Sequence, residues 1–248
     1  GEDQTICENT APAPFTGTAP SGDGTFTYSW ESSINGTTWN PVPGEFTSTY
    51  TAPILTVDTW YRRVVTSDVN GFKCSETTPA VIVTVNNFDP GNITADQWIC
   101  EGDTPASFGS GSPSGDGTFT YQWQSSIDNV TYSNIPGATS ETYTSGTLTM
   151  DTYFRRRVTS TLNGNACTEF TPEILVTVNN FTPGTITGTQ TICEGEVPAA
   201  FTEAAPSGDG VFTFQWEDSP DNTTWTPIVG ATAATYAPGA LTQDTWYR

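Results

Sequence analysis

The chain has 248 residues, and its 27 Asp and Glu against 7 Lys and Arg leave a net charge of −20 with no histidine. That charge disfavours nucleic acid and anionic membranes as partners, and the missing imidazole excludes Ser-His-Asp and Cys-His catalysis. No window approaches the roughly 18 apolar residues of a membrane span, and an aromatic content of 12% argues against disorder.

In chain order, the first marker is Cys7, closing "QTIC". "PSGDGTFTY" at Pro20–Tyr28 predicts a tight turn feeding a strand, with Gly22 and Gly24 supplying positive φ and Asp23 bonding back to its own backbone. The strand itself, "FTYSW", puts Phe26, Tyr28 and Trp30 on one face at period two and Thr27 and Ser29 on the other. "TTWNPV", "STYTAPIL" and "TWYRRVVTS" read as further short strands, separated by the turn signals "ING", "VPG" and "DVNG". "AVIVTV" closes the unit with Val81, Val83 and Val85 toward a core. No segment has a 3.6-residue period.

The whole pattern returns after 93 residues and again after another 93. Trp30, Trp123 and Trp216 correspond, as do Tyr50, Tyr143 and Tyr236, and Cys7, Cys100 and Cys193. A unit this long and turn-rich is a small domain, and about seven short strands around a Trp predict an immunoglobulin-like β-sandwich. The expected organisation is all-β, a beads-on-a-string array of three repeats at 1–88, 89–181 and 182–248, the third truncated before its last strand. The junctions "NNFDPG" and "NNFTPG" contain Pro and no Gly/Ser spacer, which predicts semi-rigid coupling. The abrupt "GEDQTIC" start and "LTQDTWYR" end are expected of a segment cut from a longer array.

Cys7 to Cys74 and Cys100 to Cys167 share a spacing of 67 residues. That equality predicts a bridge inside each repeat, Cys7–Cys74 and Cys100–Cys167, each contributing about 4 kcal/mol by chain entropy. Cys193 would then pair with a residue beyond the segment. With no CxxC and no His, zinc is disfavoured, and disulfides imply an oxidising, extracytoplasmic compartment.

Arginines cluster at Arg62, Arg63, Arg155, Arg156, Arg157 and Arg248, each group following an aromatic pair. One reading is structural, an Arg stacked on an aromatic and paired with a carboxylate. The other is a ligand face for sugars, formed by Trp60 and Arg62, Tyr153 and Arg155, and Trp246 and Arg248. Asp58, with Leu55 and Tyr61, fits a tyrosine corner, though Phe154 replaces the tyrosine in the second repeat. Asp23, Asp116 and Asp209 are weak Ca²⁺ candidates, because one carboxylate per loop falls short of six to eight ligands; no other cofactor is expected. Sequons stand at Asn35, Asn92, Asn129, Asn180 and Asn222. Trp98 has only Thr5 and Thr191 as counterparts, so a contact and a junction filler are both open. Paired carboxylates have no evident cleft, so no enzyme is expected.

"QTICEG", "GDGTFTYQWQSSIDN", "IPGATSETYTSGTLTMDTYFRRRVTS" and "VTVNN" resemble the tandem Ig-like repeats of giant surface and secreted proteins of Bacteroidota. Those proteins are exported by the type IX system and include gliding-motility adhesins of the SprB type. The resemblance implies a non-catalytic, disulfide-stapled segment of an extracellular adhesin or cell-surface filament. Its expected partners are neighbouring repeats of the same chain and, beyond them, surface polysaccharide or other cell-surface proteins. The alternative is a secreted array of glycan-binding modules.

Overall fold

The computed structural model describes residues 2–109 and 111–248, and of Thr202 the backbone alone. Every regular element among them is a strand. In the first repeat these are β1 (Gln4–Cys7), β2 (Thr25–Ser33), β3 (Asn40–Pro41), β4 (Thr59–Val69), β5 (Phe72–Thr77) and β6 (Val81–Asn86). They form one sheet in the order β1-β6-β4-β2-β3, with β5 continuing along β4 beyond β6. β1 runs parallel to β6 and the other pairs are antiparallel. The β4–β5 hairpin turns on Asn70 and Gly71 at φ 54° and 87°, the conformation that an Asn-Gly pair adopts readily.

The second layer is thinner than seven full strands would give. It consists of segments held by the isolated bridges Thr10↔Leu55 and Phe15↔Tyr50. Between the layers lie Ile6, Phe15, Trp30, Tyr50, Ala52, Leu55, Tyr61, Val83 and Val85, all buried. Phe15 and Tyr61 pack at 4.9 Å between centroids and Trp30 and Tyr50 at 5.5 Å. The Trp30 indole N–H donates to the Thr47 carbonyl at 3.0 Å, so the buried ring leaves no donor unpaired. Burial raises the Tyr61 hydroxyl to about 12. Asp58 accepts the Val85 N–H at 2.7 Å, a backbone cap tying the start of β4 to β6.

β7 (Phe88–Asp89) follows as the junction strand, and the pattern then recurs. The second repeat has β8 (Gln97–Cys100), β9 (Ser114–Gly115), β10 (Thr118–Ser126), β11 (Ser133–Asn134), β12 (Thr152–Leu162), β13 (Asn165–Phe170) and β14 (Ile174–Asn179). β10 pairs with β11 and β12, and β12 with β13, as β2 to β5 do; β8 lies parallel to β14 as β1 does to β6. Asp151 accepts the Val178 N–H, repeating the Asp58 cap. The architecture is an all-β immunoglobulin-like array.

The third repeat follows β15 (Phe181–Thr182) and β16 (Thr185–Thr187) with β17 (Thr202–Ala204), β18 (Ser207–Gly208), β19 (Glu217–Ser219), β20 (Thr226–Pro227) and β21 (Trp246–Tyr247). Residues 211–216 are not in a ladder, unlike their equivalents Thr118–Trp123 in β10. By contact the chain divides into two units. One runs to Ala95 and adds Ser107–Thr144 and Tyr153–Leu175; the other holds Asp96–Ala106, Ser145–Thr152 and Val176–Arg248.

Candidate functional site at the junctions between repeats

The cysteines correct the pairing expected from spacing. Cys7 is bonded to Cys167, 160 residues away, with 5.5 Å between Cα atoms, while Cys74, Cys100 and Cys193 are free and exposed. Neither Cys7–Cys74 nor Cys100–Cys167 forms. Strand register supplies the reason. Cys7 faces Asn86, beyond the point where Val83 faces Thr59, whereas Cys74 faces Ser67. From Thr59 to Ser67, β4 rises about 26 Å at roughly 3.3 Å per residue. A disulfide tolerates only about 4.4–6.8 Å between Cα atoms. The two cysteines of the first repeat therefore sit at opposite ends of it, and Cys7 reaches the hairpin of the second.

Around that bond the two repeats share a neutral, hydrogen-bonded contact. The Ser160 hydroxyl donates to Asn86 Oδ1 at 2.9 Å, and Asn86 Nδ2 donates to the Ser160 carbonyl at 3.1 Å. Ser160 is 0% exposed and Asn86 1%, so the Asn86 side-chain amide depends on this pairing, while the Ser160 hydroxyl also reaches the Asp116 carbonyl. Asn163 Nδ2 donates to the Thr5 hydroxyl and Asn165 Nδ2 to the Thr5 carbonyl. Their counterparts show what the contact covers: Ser67 is only half-buried and Cys74 is exposed, while Cys167 is 4% exposed.

The linker is strand-paired as well. Phe88 and Asp89 of β7 pair with Gly115 and Ser114 of β9, the start of the second "SGDG" turn. Phe181 and Thr182 pair with Gly208 and Ser207 in the same way at the next junction. Asp116 N–H donates to the Asn87 carbonyl at 2.8 Å and Asp209 N–H to the Asn180 carbonyl at 2.7 Å. A Cβ on Gly115 or Gly208 would collide with those linker carbonyls, whereas one on Gly22 would meet nothing within 4 Å. The recurrent turn thus has two tasks. It feeds the Trp-bearing strand, and its first glycine leaves room for the preceding linker to lie against it.

Arg156 completes the junction. It is 0% exposed, and its guanidinium donates to the carbonyls of Glu141 at 2.8 Å, Gly111 at 2.7 Å and Pro90 at 3.0 Å. Pro90 belongs to the linker, so one buried fork ties linker and second repeat together. Burial lowers the Arg156 pKa, offset in part by Tyr121 and Glu141. Arg63 makes the corresponding bonds to Ser48 and Thr18 but holds no linker. Sequence reading placed Arg63 and Arg156 in the arginine cluster without separating them; their inward parity on the strand was the signal.

Arg62, Arg155 and Arg248 stack on a different aromatic from the one preceding them. Arg62 lies 4.1 Å over Trp39 and pairs with Glu31 at 2.7 Å. Arg155 lies 3.8 Å over Tyr132 and donates to Gln124, and Arg248 lies 4.3 Å over Trp225 with Glu217 at 2.6 Å. Trp60, Tyr153 and Trp246 share the outward parity of these arginines, while Tyr61 and Phe154 are in the core. Asp23, Asp116 and Asp209 lie exposed at the "SGDG" turns, and among the described residues no three acid or cysteine side chains gather as a metal cluster. Asn35, Asn129 and Asn222 are exposed in one recurring loop; Asn92 and Asn180 lie in the linkers. Trp98 is 76% exposed on β8.

A family model described as "Domain of unknown function (DUF8696)" matches residues 1–87, 89–180 and 182–248. The chain belongs to this family. Three DUF8696 domains therefore follow one another, and the contacts above are contacts between successive family members. No curated protein matches the chain significantly. Among solved structures, it is similar to the three N-terminal domains of the bacteriophage RB49 Highly Immunogenic Outer Capsid protein (Hoc), at 13% identity and a TM-score of 0.38, covering 98% of this chain and 82% of that one. It is also similar to Sidekick-1 immunoglobulin domains 1–4, at 12% identity and a TM-score of 0.32, covering 100% of this chain and 63% of that one. The fold assignment rests on the strand pairings and not on these likenesses.

Proposed function

We propose that these DUF8696 domains form a non-catalytic spacer in a long extracellular adhesin or cell-surface filament, holding adhesive regions away from the envelope. The observation that carries this reading is the Cys7–Cys167 bond, which joins one domain covalently to the next. A disulfide persists in an oxidising, extracytoplasmic setting, and a bond between domains resists their separation under tension. The net charge of −20 makes neighbouring domains repel one another. Covalent, strand-paired and neutral contacts at the junction offset that repulsion where the chain must stay connected.

Gliding motility, type IX export and a Bacteroidota source are the finer part of the same proposal and rest on the sequence resemblance. A polysaccharide-binding array is less favoured, because Arg62, Arg155 and Arg248 already engage their own carboxylate or amide and their own aromatic ring.

Electron microscopy of intact cells labelled with antibody to this segment tests the proposal. Label strung along thin projecting fibres is expected. Label confined to shed soluble material would sink it, and polysaccharide-column retention abolished by Trp60→Ala would move the assignment to glycan binding.

A further inference from the structure

The three free cysteines share one explanation. Cys7 bonds to a cysteine 160 residues further on, which is the second cysteine of the following domain. Applied to the whole chain, that rule leaves Cys74 needing the first cysteine of a preceding domain. Cys100 and Cys193 need the second cysteine of a following one. Cys74, Cys100 and Cys193 are the ones found free.

The surface beside Cys100 has the same form as the surface that the second domain covers on the first. Asn179 is exposed where its counterpart Asn86 is 1% exposed, and Trp98 is 76% exposed where Thr5 accepts hydrogen bonds from Asn163 and Asn165. At the other end, Gly22 has open space where Gly115 and Gly208 lie against a linker carbonyl. In each case the uncovered group is the equivalent of one that a neighbouring domain or its linker covers.

We infer that successive DUF8696 domains are joined by a head-to-tail disulfide ladder, and that the Cys100 surface is the docking site for the hairpin of a complete third domain. Each rung forms by oxidation of two thiols, which give up two protons and two electrons as the S–S bond forms. The oxidant is a small-molecule or protein disulfide, itself reduced to two thiols. The mechanical consequence is large. Each rung withholds the chain between its cysteines, a sequence separation of 160, from extension by about 540 Å at roughly 3.4 Å per residue. A path along the chain crosses from Cys7 to Cys167, runs to Cys193, and crosses again. An array built in this way barely lengthens even when its domains unfold.

The test is disulfide mapping. The 248-residue chain and a version completed by appending a second copy of residues 156–180 after Arg248 are refolded in reduced and oxidised glutathione. Free thiols are alkylated, and both proteins are digested without reduction for mass spectrometry. The expected result is Cys7–Cys167 in both, and in the longer chain a new peptide linking Cys100 to the appended cysteine, with Cys74 and Cys193 alkylated. An alkylated Cys100 in the longer chain overturns the inference. So does a Cys7–Cys74 peptide in the 248-residue chain, a measurement that needs no added segment. Neither outcome depends on where the protein resides, so the ladder and the proposed surface location stand or fall separately.

Discussion

Asn86 and Ser160, 74 residues apart and in successive domains, exchange two hydrogen bonds and are both almost fully buried. Such a pairing makes an interface specific, since any shift of register strands the buried Asn86 amide. Asn86→Leu leaves the Ser160 hydroxyl and carbonyl without this partner and is expected to cost about 1–3 kcal/mol. Asn179→Leu, at the exposed equivalent, is expected to have little effect. Chemical denaturation of the two variants beside the parent measures the difference.

The Cys7–Cys167 bond closes a span of 160 residues. By the chain-entropy relation its removal costs about 5 kcal/mol. Cys7→Ser and Cys167→Ser are expected to lower the melting temperature equally, and reductant to add nothing to either. Cys74→Ser is expected to leave it unchanged. Calorimetry with and without reductant checks all three.

Gly115 and Gly22 occupy the same turn position at φ 117° and 130°, so an added side chain is strained at both. Only at Gly115 does it also strike the preceding linker. Gly115→Ala is expected to destabilise by about 1–3 kcal/mol more than Gly22→Ala. It should also open the linker to limited proteolysis, and cleavage near Phe88 is the direct readout.

Arg156 serves three carbonyls from one planar fork, a geometry Lys cannot reproduce. Arg156→Lys is expected to cost about 3 kcal/mol or more, because it strands buried acceptors. Arg63→Lys should cost less, since it has no linker carbonyl to lose. Urea midpoints of the two variants decide it.

Asp128 accepts the backbone N–H groups of Thr131 and Val130 and the Ser126 hydroxyl, which hold its carboxyl down at about 2. A depressed carboxylate contributes stability above its unfolded value near 3.9, lost as pH falls toward 2. Asn35 occupies this position in the first domain and makes the same bonds without titrating. Asp128→Asn is therefore expected to flatten the loss of stability between about pH 4 and pH 2, measured by denaturant midpoints across that range.

Much of each domain was legible in the sequence. Period-two alternation placed Trp30 and Val83 inward, the Asn-Gly pairs marked the hairpins, and the 93-residue period gave three equivalent units. These are local or strictly periodic features, and backbone sterics and burial act on them directly. The cysteine partner was not legible. Spacings of 67 and 160 differ by one period, so the sequence pattern fits a bridge within a domain as well as one between domains. Only the register of β4 against β5 and β6, which puts Cys74 and Cys7 at opposite ends of the sheet, separates the two. The stacking partner of Arg62, the linker carbonyl on Arg156 and the second task of the "SGDG" glycine were hidden for the same reason. The first depends on strand register within a domain, and the other two on which strand ends meet across a junction, where a repeating sequence reads the same on both sides.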